Sequence, residues 1–467
     1  MKVTVKNLGI LKKAEFDIGE LTIICGKNNT GKTYATYALY GFINFWNEAF
    51  DYDWLGKEAA KKLFSTGSVK IEIDDIHRNT HNIVNNACKE YISHLSTVFA
   101  THPKYFSNSG FEISLSEAEI DFIGIERIVH VLAPNGKTVF DIYKKSGENN
   151  INIDIISKVE DVGEINEDLF AFQINLNIKK TLFSHVFPAF SATFIASIER
   201  TGAAIFQREL DFTRNRLLEH VSNRNTDVNP LSVFNTFYNK GYALPVNRDV
   251  DFNRNLNEVV KYESVISKEN PDILVSFDSM VGGEYRSTKE GLCYIPGNAN
   301  VKLTMAESAS SVRSLLNMGF YLKHIACPGD ILMIDEPELN LHPSNQRSMA
   351  RILSKLVNAG IRVFVTTHSD YILKEFNTLI MLKNHTSVAK RIMDTYHYQE
   401  NELLDASKVR AYVARKDLIM VDKASRKQKH NTFVPALIDE NGIEISDFDD
   451  TINEMNKIQE EILFGES

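Results

Sequence analysis

Apolar positions in this chain fall into short runs with two different periods. Val3 and Val5 alternate with polar neighbours, whereas Leu21 to Cys25 (LTIIC) is unbroken, the pattern of a strand buried on both faces. From Tyr34 to about Phe50 the spacing turns helical. Further on, the pattern predicts helices around 80–100, 174–188 and 203–221, and strands at Phe111 to Leu115, Val139 to Tyr143 and Ala192 to Ile198. Residues 222–250, rich in Asn, Asp and Pro, read as a loop or boundary. A helical piece near 252–268 precedes alternating strands over Ile273 to Tyr294, with Gly282-Gly283 as their turn.

Residues 300–383 alternate helix and strand most clearly. A helix starts at about Ser310, followed by a strand Ile331 to Ile334, a helix 343–358, a strand Arg362 to Thr366 and a short strand near Thr378 to Leu382. That alternation predicts an α/β architecture with a parallel sheet. The tail carries a basic loop and closes on a helical pattern over Asp450 to Phe464.

Composition adds little: 43% hydrophobic and 24% charged residues are ordinary for a globular chain. No apolar run reaches the ~18 residues of a membrane span, and the start lacks the continuous apolar stretch of a signal peptide. Cys25, Cys88, Cys293 and Cys327 form no CxxC pair, which argues against a zinc cluster or a disulfide scaffold. The expectation is a cytoplasmic protein with no membrane partner. A net charge of −9 excludes a general nucleic-acid sponge but leaves room for a local basic groove.

Four local patterns carry chemistry. Gly26-Lys27-Asn28-Asn29-Thr30-Gly31-Lys32-Thr33 is a full GxxxxGKT between a predicted strand and a predicted helix. Its glycines let backbone N–H groups cradle phosphates, Lys32 reaches the β- and γ-phosphates, and the Thr33 hydroxyl suits Mg²⁺. Some 300 residues later Ile331-Leu332-Met333-Ile334 runs into Asp335 and Glu336, two carboxylates at a strand's C-terminal end. Asp335 suits the Mg²⁺ shell and Glu336 a general base for water. His368 ends the next strand, Val365-Thr366-Thr367, and reads either as a structural histidine or as a γ-phosphate contact. Ser310 and Ser311 open a helix, as caps or as phosphate ligands.

In this order the four patterns resemble the ABC ATPase superfamily, in its non-transporter branch of SMC, break-repair and OLD-type proteins. The resemblance implies an enzyme that binds and hydrolyses Mg²⁺-ATP. The fold implied is a P-loop NTPase head of ABC type, with a compact helical or α+β insertion where SMC proteins carry a long coiled coil. It further implies that Ser310 and Ser311 of one copy close over the ATP of another, although the usual Leu-Ser-Gly-Gly-Gln reads here as a serine-rich segment without its glycine pair. The glutamine loop of that family is not obvious, and Glu199-Arg200 after the strand ending at Ile198 stand nearest to it. ATP contacts are expected from Gly26, Asn28, Asn29, Thr30, Gly31, Lys32, Thr33, Ser310 and Ser311, metal ligation from Thr33 and Asp335, and catalysis from Glu336 and His368.

The stretches Asp335-Glu336-Pro337-Glu338-Leu339-Asn340-Leu341-His342-Pro343 and Thr366-Thr367-His368-Ser369-Asp370-Tyr371 resemble bacterial antiphage defence ATPases more narrowly. The Septu ATPase subunit, including its retron-attached forms, is nearest, with the PARIS ATPase as a neighbour. That likeness implies head-to-tail homodimers or larger oligomers gating a separate HNH-type nuclease. Glu338, Asn340 and His342 would lie where two nucleotide sites communicate; for Asn340 and His342, loop and cap hydrogen bonds before Pro343 are the other reading. The alternatives are a nucleotide-gated scaffold restraining a toxin with little turnover, or a DNA-repair ATPase.

The expected layout is 1–65 as the first part of the head, 66–270 as the insertion (returning to the head near 190–215), 271–383 as the second part and 384–467 as a C-terminal extension. The roughly 270 residues between Thr33 and Glu307 hold no sustained heptads. The acids after residue 383 (Asp447, Asp449, Asp450, Glu454) suit a solvated loop and helix, so no built-in nuclease is expected. The basic run Lys423 to His430 reads as a solvated loop between two strands, or as a contact for nucleic acid or an acidic partner face.

Overall fold

The computed structural model describes residues 1–50, 53, 55–116, 127–132, 138–156, 174–175, 177, 190–205, 241–288, 291–297, 299, 301–384, 386–421, 426–444 and 454–462. Most of the helices expected over 174–188 and 203–221, most of the loop expected over 222–250, and the acids Asp447, Asp449 and Asp450 lie outside these residues; the end of that loop is helical instead, in Leu244–Arg254, which Pro245 starts.

The chain divides into two compact units, one of Val3–Gly41, Ser93–Gly110 and Thr193–Ser467, the other of Met1–Lys2, Phe42–Ile92 and Phe111–Ala192. In the first, the strands are β1 (Lys2–Leu8), β2 (Leu11–Asp17), β3 (Leu21–Cys25), β4 (Thr193–Ala196), β5 (Ile331–Asp335), β6 (Arg362–Thr367), β7 (Val409–Ile419) and β8 (Gln428–Pro435). They form one sheet in the order β1-β2-β8-β7-β3-β6-β5-β4. The block β7-β3-β6-β5-β4 is parallel throughout, with Ile24 opposite Thr366 and Thr366 opposite Asp335. Every residue of β3 and β5 is buried, which is why their sequences read as unbroken apolar runs.

Helices cover this sheet: α1 (Lys32–Glu48), α2 (Arg200–Ile205), α3 (Ser310–His324), α4 (Pro343–Asn358) and α5 (Asp370–Asn384). Pro343 at its first turn and the His342 ring, which accepts a hydrogen bond from the Ser344 N–H, start α4. Leu315, Leu316, Leu322, Met349, Leu353, Leu356, Phe376 and Ile380 pack in the same core as Leu332, Ile334, Val363 and Val365.

Two further expectations change. Residues 271–281 form a helix rather than a strand: Pro271 starts it, Ile273, Phe277 and Met280 repeat at helical spacing, and Gly282 (φ 77°) stops it in the left-handed conformation. Thr378 to Leu382 lie inside α5, where Ile372, Phe376, Leu379 and Ile380 make one buried face; a five-residue window was too short to separate the periods. Within the stretch expected as a C-terminal extension, β7 pairs with β8 and lies directly on β3.

The second unit carries a four-stranded antiparallel sheet in the order Ser68–Glu72, Asn150–Ile155, Thr138–Lys144, Arg127–Leu132. Its aromatic cluster includes Phe42, Trp46, Tyr91, Phe111 and Phe190. Among the described residues the longest helix, Ile73–Val98, has 26 residues. No helix is long and apolar enough to cross a membrane, among the described residues.

Candidate functional site

Three neighbouring parallel strands, β3, β6 and β5, end at the same sheet edge and deliver their loops there. The loop after β3 turns through Gly26 (φ 133°), Asn29 (φ 59°) and Gly31 (φ 100°), three positive-φ positions of the kind from which successive backbone N–H groups can form an anion-binding concavity. Asn tolerates that conformation better than most residues with a Cβ. At Gly26 a Cβ would be driven into the Ala414 carbonyl. Gly26→Ala is therefore expected to destabilise the fold by about 1–3 kcal/mol, read as a lowered midpoint in urea unfolding, and to displace the loop that follows.

Lys32 is buried at the start of α1, its Nζ held by the carbonyls of Gly26 (2.8 Å) and Lys27 (3.0 Å). Burial lowers its pKa, opposed by the carboxylates of Glu336, Asp335 and Glu338. Thr33 Oγ1 donates to Asp335 Oδ2 at 3.0 Å, across 302 positions of sequence. Asp335 is buried, which raises its pKa, while Thr366 donates to its other oxygen. Thr30 closes the loop on itself by donating to the Lys27 carbonyl at 2.8 Å, and Asn28 and Asn29 line the cavity beside it.

Glu336 leaves β5 with φ 53°, left-handed backbone at a residue that bears a Cβ. Its N–H donates to the Thr366 carbonyl at 3.0 Å, and its side chain lies 3.3 Å from His368 Nδ1. That contact lowers the pKa of Glu336 and raises that of His368. Glu338 completes the group: its Oε1 accepts from the Thr367 hydroxyl (2.8 Å) and the His368 N–H (2.7 Å), and lies 3.2 Å from His368 Nδ1. Burial raises the pKa of Glu338, and its Oε2 has no hydrogen-bond partner among the described residues. Glu338 thus grips the turn that carries His368. His342 caps α4, and Asn340 (φ 62°) is exposed in the same loop.

Arg200, which with Glu199 stands nearest to the expected glutamine loop, ties the site together as a positioning group. Its buried guanidinium donates to four carbonyls: Ser197 (2.7 Å), Ser314 (2.8 Å), Asp335 (2.7 Å) and Glu336 (2.7 Å). Asp249 faces the same region, its carboxylate accepting from Ser197 N–H (3.0 Å) and Asn317 Nδ2 (2.8 Å), and burial pushes its pKa up to about 6. Neighbouring Glu199 accepts from the Tyr37 hydroxyl at 2.9 Å. The one signal available in sequence was an arginine directly after a core strand.

Ser310 and Ser311 do begin α3, but they do not cap it: Ala309 holds the cap position and brings no side-chain hydrogen bond. Ser310 is exposed, with Arg313 donating to its hydroxyl at 3.3 Å, and neither serine lines the cavity beside Lys32's loop. One turn in, Ser314 donates to the Leu339 carbonyl at 3.0 Å, joining α3 to the loop after Glu336.

The donor chemistry fits a hard cation with a polyphosphate. Thr33 and Asp335 offer a hydroxyl and a carboxylate oxygen side by side, next to a cationic loop at a helix N-terminus. A family profile described as AAA ATPase domain matches residues 1–373. No curated protein matches the chain. Among solved structures, the SMC head domain from Thermotoga maritima is similar at 12% identity, over 93% of this chain and 98% of that one, with a TM-score of 0.29. An Smc head domain with an extended coiled coil, bound to the C-terminal domain of ScpA and derived from Pyrococcus furiosus, matches at 12% identity over 99% and 98%, with a TM-score of 0.28. Superpositions this loose locate none of the present residues on those structures.

Proposed function

The chain belongs to the family of AAA ATPase domains and is an ATPase with an ABC-type P-loop head, and from that premise we propose that two copies pair head to tail around two ATP molecules. Each ATP lies on the loop Gly26–Thr33 of one copy and meets Ser310 and Ser311 of the other. The observation that carries this reading is the start of α3: its first turn has no side-chain cap, and Ser310 is exposed there. The same helix is fastened to the carboxylate turn through Arg200 and Ser314.

Within one copy, Lys32 exchanges the carbonyls of Gly26 and Lys27 for phosphate oxygens. Thr33 and Asp335 are the residues that would hold Mg²⁺, which when bound neutralises charge on the phosphates. Glu336 accepts the proton of the attacking water, and its lowered pKa keeps it ionised at neutral pH. His368, its Nδ1 engaged by Glu336 and Glu338, turns the rest of its ring toward the γ-phosphate.

The further role is a cytoplasmic antiphage complex in which nucleotide state gates a separate nuclease, HNH-type if Septu-like. Support for it is the likeness of the Asp335–Pro343 and Thr366–Tyr371 stretches alone. The pairing is tested by solution mass with and without Mg²⁺-ATP. Wild type and Glu336→Gln should shift to a dimer or larger assembly with ATP, and Ser310→Arg/Ser311→Arg should remain single. A serine variant that pairs like wild type would remove α3 from the interface.

A further inference from the structure

We infer that the hairpin of β7 and β8, in the last part of the chain, is the wall of the nucleotide site that holds the base and ribose of ATP. The inference rests on the reading of Gly26–Thr33 as the ATP phosphate loop.

The register places it there. β7 lies parallel to β3, with Val413 opposite Cys25, the residue before the loop begins. At that level β3 stops and the chain turns aside, while β7 continues from Ala414 to Ile419, paired with β8 from Phe433 back to Gln428. At about 3.3 Å per residue this overhang rises roughly 20 Å past the sheet edge, alongside the loop. Gly26 packs directly on the Ala414 backbone, so no side chain stands between loop and strand. Beside that contact a cavity of about 710 Å³ opens, lined by Gly26 to Thr30, His368 and Asp370 on one side and by Val413, Ala414, Arg415, Lys416 and Asn431 on the other. Its volume falls in the range of small-molecule sites.

Strand order gives the direction of the ligand. Asp335 and Glu336 lie on the far side of β3, beyond β6, and neither lines this cavity. A triphosphate whose γ-group meets Glu336 and His368, the latter at one end of this cavity, runs across the loop toward β7, and its nucleoside meets the hairpin side of the cavity. The lining there suits a nucleoside better than a further phosphate alone. Val413 and Ala414 give an apolar floor. The planar guanidinium of Arg415 can stack on a base, and the Asn431 amide offers a donor and an acceptor to a purine edge.

The test compares calorimetric affinities of the full chain for Mg²⁺-ATP and for inorganic tripolyphosphate. Arg415→Ala and Asn431→Ala should each weaken ATP by about tenfold and leave tripolyphosphate within about twofold, whereas Lys32→Ala should weaken both. Either hairpin variant that binds ATP like wild type, or loses tripolyphosphate in equal measure, overturns the assignment of the wall. A wild-type chain that binds neither ligand overturns the phosphate loop itself, a separate failure. Unfolding curves on both variants show that a loss of ATP is not a loss of fold.

Discussion

Glu336→Gln should lower steady-state ATP hydrolysis by about 10²–10⁴-fold and leave ATP binding in place. The substitution keeps the volume of the side chain and the strained backbone, since Gln has the same Cβ and φ 53° is set by its surroundings. Those surroundings are main-chain contacts: the N–H to the Thr366 carbonyl and the carbonyl to Arg200 Nη2. What disappears is an anionic oxygen 3.3 Å from His368 Nδ1, the one group at this position able to take a proton from water. Phosphate release and ATP binding, measured on the same preparation, check the split. A loss below about tenfold would move the base elsewhere, and Glu338→Gln decides where. Glu338 is buried and grips the His368 turn, so its loss should impair turnover through His368 rather than through proton transfer.

The second large effect is on stability. Arg200→Met should destabilise the chain by about 3–5 kcal/mol, because it strands buried polar partners. Four carbonyls lose their donor, and each unsatisfied buried group costs about 1–3 kcal/mol before relaxation. Asp249 loses its neighbouring positive charge as well, in a setting where burial already pushes its pKa up to about 6. Urea unfolding of wild type and variant gives the difference. Arg200→Lys should recover only part of it, because an ammonium cannot reach four acceptors laid out for a planar fork. A loss under about 1 kcal/mol would mean that water or rearrangement satisfies these carbonyls, and that Arg200 does not hold the turn.

How far the site could be read from the chain differs residue by residue. Lys32, Thr33, Asp335 and His368 announced themselves because each sits at a fixed offset from a strand end, and strand ends of a parallel sheet gather at one edge. Ser310 and Ser311 open α3, as the pattern predicts, and within the single chain they do not line the cavity beside Lys32's loop. Glu338 is expected from its motif where two nucleotide sites communicate; in the single chain its buried carboxylate accepts from the Thr367 hydroxyl and the His368 N–H. No spacing rule forecasts that, because the partner atoms come from the next strand of the sheet.

The sequence by itself determined the parts that depend on local order. These are the apolar strands LTIIC and ILMID, the glycines that admit positive φ, the Pro343 helix start, and hence an α/β ATPase head. Tertiary structure alone decided the rest. It gave Arg200 its four carbonyl partners from three separate segments, 197, 314 and 335–336. It also drew β7, from a tail that reads as an appendage, into the place beside β3. The physical reason is the same in both cases. A hydrogen bond or a strand pairing between positions hundreds of residues apart leaves no periodicity in either segment, and only folding brings the two together.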